Sequence, residues 1–273
     1  MRKLYLINEK GTSFRFDYAS GVLISDLSGL GFEKSFTFTD YGNIYKGQSE
    51  VNKMTDISLS LVFLKGYKGY KAFLSYIENS SSFDIYYESD DVRYANCQIV
   101  SLSKAQLVAG TIQSELKIKK LSFWFRNVTK EIQIKVTETG KVYPYSFSYT
   151  YSESYKGTVS ITNNGYAKAP LRIIINGAFD NPEIIVSKSG KEIMKMKIYY
   201  SSADAKIEVD AFPTDQKIEI TENGKAVNGY EYQDFTCENF LFLEKGTYDI
   251  EFRPNTTSSP TCTITMVEGY LGN

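Results

Sequence analysis

A chain of 273 residues, 42% of them apolar, exceeds one ordinary domain of about 100–150 residues and can bury two cores. Lys and Arg total 31 against 32 Asp and Glu, so no global field draws it to nucleic acid or anionic lipid, and neither is expected as a partner. Histidine is absent, which excludes Ser-His-Asp and Cys-His catalysis, His-ligated metal and the usual physiological-pH switch.

With 22 Tyr and 17 Phe against one Trp, the composition favours pleated, half-buried surfaces, and the expected class is mainly β. Alternation marks the first strands, Ser35 to Thr39 and Ile57 to Leu61, each with apolar side chains on one face. The spacing of Tyr70, Phe73, Leu74 and Ile77 predicts one helix over 67–79, its apolar stripe lying on a sheet and its end set by Asn79-Ser80-Ser81-Ser82. From Leu116 to Phe125 the alternation slips at Lys119-Lys120, which predicts a β-bulge near Lys119 that keeps Leu121, Phe123 and Phe125 facing the core. Glu131 to Thr137 reads as one more strand.

The join between domains falls near 127–140, giving residues 1–133 and 134–273; up to residue 135 there are 18 basic against 14 acidic residues, and beyond it 13 against 18. Tyr143 to Tyr151 sets five aromatics on one strand face. Asn164-Gly165, Asn176-Gly177, Asn223-Gly224 and Asn228-Gly229 read as tight turns, the clearest being the hairpin at Asn223-Gly224. Short strands between such turns suggest a β-sandwich.

Little in the sequence carries chemistry. Asp90-Asp91 and the pair Glu208 and Asp210 supply carboxylates for a histidine-free glycosidase, yet a turn and a wet strand face account for them. Gly29-Leu30-Gly31 lacks the third glycine and following helix of a dinucleotide site, and no phosphate-loop lysine or calcium loop is present, so neither cofactor nor metal is expected. Cys97, Cys237 and Cys262 are odd in number and far apart, which reads as buried thiols. Lys117, Lys119 and Lys120, with Lys65, Lys68 and Lys71, read as a solvated face. No run reaches the ~18–20 apolar residues of a membrane span, and Met1 to Lys10 turns polar too soon for a secretory leader, so a soluble chain made in a cytoplasm is expected.

Several stretches are similar to a known family. They are Leu4 to Asn8 followed by Gly11, the helix Tyr70 to Ile77, Arg93 to Lys104, the strand ending Phe123-Trp124-Phe125, Asn163-Asn164-Gly165, Ala169 to Pro182, and Phe240 to Gly246. In that order they resemble the distal tail proteins of long-tailed, non-contractile bacteriophages. The resemblance implies an N-terminal β-sandwich or split-barrel-like domain with one helix, assembling into a hexameric ring between the tail tube and the tail-associated spike protein. It also implies a galectin-like C-terminal β-sandwich that serves as a platform for receptor-binding components. The chain would then be a non-enzymatic part of the virion tail tip, assembled in the bacterial host cytoplasm. Ring-interface candidates are Phe36, Phe38 and Tyr67. The alternative is a carbohydrate-binding module for host glycans that stacks sugars on Tyr145 and Tyr149. Residues 134–273 leave little room beyond a bare sandwich, which weighs against direct glycan binding.

Overall fold

The computed structural model describes residues 3–137 and 154–273. The chain forms two compact units, one of residues 1–126 with 270–273, the other of residues 127–269. The sequence reading divides the chain a few residues later, at 133/134.

The first unit runs β1 (Lys3–Asn8), β2 (Ser13–Arg15), β3 (Val22–Ser28), β4 (Glu33–Asp40), β5 (Tyr45–Lys53), β6 (Asp56–Phe63), α1 (Gly66–Glu78), β7 (Phe83–Glu88), β8 (Val92–Leu102), β9 (Leu107–Val108), β10 (Thr111–Lys120) and the start of β11 (Trp124–Ile132). Strand β8 is shared: residues 92–97 pair with β7, and residues 97–102 pair with β10. From it the ladder continues through β7 to β1 and β2 on one side, and through β10 to β6 and β3 on the other. Alternate residues of these strands, including Leu4, Leu6, Ile57, Leu59, Leu61, Ile85, Ile112 and Leu116, point into one core. The helix starts and ends one residue before the predicted span and lays its stripe on that core. Phe73 is fully buried, with its ring centroid 4.7 Å from Phe14 and 5.9 Å from Phe63.

Strand β10 corrects the sequence reading. Its alternation runs unbroken from Ile112 to Lys120, so Lys120 takes an inward position and is 5% exposed, not part of a solvated face. The register does shift opposite Lys117 and Ile118, but the extra residue is Val100 on β8, which bulges outward and stays exposed. Beyond Lys120 the strand stops. Leu121 therefore turns outward at 44% exposure, and Trp124 enters the core as the first residue of β11, its Nε1 donating to the Leu30 carbonyl at 3.0 Å.

The second unit takes the rest of β11, then β12 (Lys135–Thr137), β13 (Ser154–Asn163), β14 (Ala169–Asp180), β15 (Glu183–Lys188), β16 (Lys191–Lys197), β17 (Ser201–Asp210), β18 (Lys217–Glu222), β19 (Lys225–Asn228), β20 (Phe242–Leu243), β21 (Gly246–Arg253) and β22 (Thr261–Tyr270), whose last residue belongs to the first unit. One sheet is ordered β19-β18-β17-β14-β22 and the other β12-β13-β21-β15-β16. Inward residues of both, among them Ile173, Ile175, Ile207, Ile184, Ile250 and Phe252, share one core, which makes this unit a β-sandwich.

The expected single strand over 131–137 is two, broken at Gln133 and Ile134, because β12 pairs with β13 in the second sheet. Gly157 makes that crossing possible: a Cβ there would lie 2.4 Å from the Gln133 carbonyl oxygen. Of the four Asn-Gly pairs, Asn223-Gly224 is the expected tight hairpin, both residues at positive φ. Asn176-Gly177 lies inside β14 at a bulge instead of in a turn, and Gly229 closes onto β18 by donating its N–H to the Ile218 carbonyl.

Candidate interaction surface

Strands β4 and β5 form a ribbon apart from the sheet of the first unit, registered from Glu33↔Lys53 to Asp40↔Tyr45. No third strand among the described residues extends it. A lone two-stranded ribbon is marginal in water, and surface ion pairs add little. Here Lys53 reaches Glu33 at 2.7 Å, Lys34 pairs with Glu50, and the Thr37 and Ser49 hydroxyls meet at 2.6 Å. The predicted interface residues Phe36 and Phe38 sit together on β4, ring centroids 6.0 Å apart, and are 49% and 60% exposed. The turn adds Tyr41, Ile44 and Tyr45, each about two-thirds exposed, which sequence reasoning missed. Their signal was available: aromatic and aliphatic residues flanking Gly42-Asn43 are out of place on a turn that meets only water.

Tyr67 lies elsewhere, in the first turn of α1, and is half-exposed. Lys104 Nζ stands 4.8 Å from its ring centroid, and Leu64, Leu107 and Val108 are also exposed. Gly66 draws this patch together, since a Cβ on it would meet Leu107 at 2.8 Å. The three predicted residues thus divide between two dissimilar apolar surfaces of one unit.

At the foot of the ribbon a cavity of about 280 Å³ opens between Phe32, Met54, Leu121, Phe123 and Leu271, with Lys120 among its lining residues. The Lys120 ammonium lies 3.3 Å from the Gly31 carbonyl and 3.4 Å from that of Leu271, and 5.6 Å from the Trp124 ring centroid. No carboxylate among the described residues pairs with it, and burial lowers its pKa from the usual 10.5.

Three of the four carboxylates weighed for catalysis, Asp91, Glu208 and Asp210, are held by cations. Asp91 accepts from Arg93 at 3.1 Å and Arg126 at 3.3 Å, and Asp210 from Arg172 at 2.7 Å. Burial works to raise the Glu208 pKa, but Lys206 at 2.8 Å and Lys217 at 3.0 Å hold it below the ordinary value. Cys97 and Cys262 are buried and Cys237 half-buried, all three as free thiols; burial, with the Asp84 charge second, pushes Cys97 up to about 12. Tyr145 and Tyr149 lie outside the described residues.

Residues 3–121 match the family model of the distal tail protein, N-terminal domain. Among solved structures the whole chain is similar to a chain of the phage P2 baseplate in its activated conformation with Ca, at 14% identity, full coverage of both chains and a TM-score of 0.67. The corresponding structure with Sr gives 14%, full coverage and 0.68. SPP1 Dit (gp 19.1), described as a paradigm of hub adsorption apparatus in Gram-positive infecting phages, is similar at 10% identity over 98% of this chain and 99% of that one, with a TM-score of 0.63. No curated protein sequence matches. At these identities the structural likeness is one of fold.

Proposed function

We infer, for a chain whose residues 3–121 match the family model of the distal tail protein, N-terminal domain, that it is a structural hub of a phage tail tip. In this reading residues 1–133 assemble as a ring of six copies between the tail tube and the tail-associated spike protein. Residues 134–273 form a galectin-like sandwich that carries receptor-binding or adhesion components. The chain performs no covalent step; it acts in the virion and is assembled in the host cytoplasm.

The observation that supports this most is the ribbon of β4 and β5, whose aromatic side chains stay largely exposed and whose outer edges pair with no further strand among the described residues. Such an element is an aggregation hazard unless a partner covers it. Closed rings need heterologous contacts, in which one patch of a copy meets a different patch of the next. The ribbon and the surface around Tyr67 and Leu107 supply two unlike patches on one unit. The copy number of six comes from the family resemblance.

Particle mass is the test. At high micromolar concentration the purified chain is expected to show about six copies per particle, ring-shaped in negative stain. A chain that stays monomeric both alone and on tail tubes overturns the reading.

A further inference from the structure

We propose that the Lys120 cavity is a docking socket for the ribbon tip of a second copy of this chain, with Asp40 of that copy supplying the carboxylate that Lys120 lacks; this rests on the ring reading.

Three observations carry it. The first is charge. A buried ammonium that meets two carbonyls at 3.3 and 3.4 Å and the Trp124 ring at 5.6 Å has no anionic partner among the described residues, and an anion brought to it recovers Coulomb energy at reduced dielectric. The second is the composition of the tip. Along the ribbon Glu33 and Glu50 are paired with Lys53 and Lys34, whereas Asp40 accepts only the Gly42 N–H, at 2.7 Å, and no cation among the described residues reaches it. Around Asp40 stand Phe38, Tyr41 and Tyr45, which suit a cavity rimmed by Phe32, Met54 and Leu121. An acid set among aromatics matches a cation in a cavity rimmed by apolar side chains, whose other charged lining residues, Glu33 and Lys53, are already paired with each other.

The third is reach. The strand from Glu33 at the foot to Asp40 at the tip is eight residues long, roughly 25 Å at strand rise, and the cavity lies at the foot. A tip cannot fold back into its own socket without breaking the β4–β5 ladder. A neighbour's tip meets no such obstacle. Tip and socket are different surfaces, so the contact is head-to-tail and repeats from copy to copy until the ring closes.

The test uses the full chain with Cys237→Ser as background, plus Asn43→Cys in the tip turn, which leaves Asp40 in place, and Leu121→Cys on the cavity rim. Mild oxidation is expected to give a ladder of disulfide-linked copies when both cysteines are present, and none with either alone. In the non-cysteine series Asp40→Asn weakens self-association at least about 30-fold, the low end for losing one partner of a buried charge pair. Adding Lys120→Met to Asp40→Asn costs little more, because the two act on one contact. A thermal melt confirms that Lys120→Met folds. Rings without a ladder, or an Asp40→Asn chain that associates normally, overturn the socket and leave the ring reading standing. A chain that never associates, alone or on tails, removes both.

Discussion

Replacing Phe36 and Phe38 together by Ser separates association from folding. A phenylalanine offers about 150–250 Å² of surface, and these two keep 49% and 60% of theirs in water, roughly 80–140 Å² each. At about 25 cal/mol per Å², covering both in an interface contributes about 4–7 kcal/mol before ordering costs, an upper figure equal to about three or more decades in the dissociation constant. Removing them costs the isolated chain almost nothing, because neither belongs to the core. Sedimentation velocity over a concentration series reads the first quantity, and calorimetry of the dilute chain the second. The expected result is a chain that associates at least 100-fold more weakly with a melting temperature within a degree or two of the parent. Unchanged association refutes the assignment of this surface, and a large fall in melting temperature refutes the claim that the ribbon is energetically separate from the unit that bears it.

Three further outcomes follow from the same geometry. Phe73→Ala, at the aromatic centre under α1, is expected to cost about 3–5 kcal/mol in urea unfolding of the first unit, and a loss below 1 kcal/mol contradicts the packing described. Gly29→Ala places a Cβ 2.0 Å from the Asp56 carbonyl oxygen at a φ of +87°, so a stability loss well above about 1 kcal/mol is expected, against no change if the backbone relaxes freely. Lys120 has a folded pKa below 10.5, so its charge costs stability at neutral pH, and the cost fades as pH rises through the folded value towards 10.5. Lys120→Met should therefore melt above the parent at pH 7 and lose that advantage by about pH 10.5; an advantage independent of pH contradicts the cause given.

The parts of the molecule legible in its sequence are those where period and burial agree. Tyr70, Phe73, Leu74 and Ile77 have no arrangement but a helix that buries them together, and Asn223-Gly224 has few turns open to it. Lys120 was misread because a lysine at an inward position looks like a slip in the pattern, whereas the strand keeps its phase and buries the charge. Alternation also named Phe36 and Phe38 as one face but could not tell whether that face meets a core or solvent, which depends on which strands are neighbours in space. The cavity was illegible for the same reason: Phe32, Met54, Lys120 and Leu271 are far apart in the chain and meet only through the foot of the ribbon and the C-terminal residues, which return to the first unit.

Electron cryomicroscopy of intact tails tests the central claim most directly. The account predicts six copies in a closed ring at the tail tip, with each β4–β5 ribbon seated against a neighbouring copy. Tips in which copies stand singly, or in which every ribbon is bare of any neighbour, contradict it.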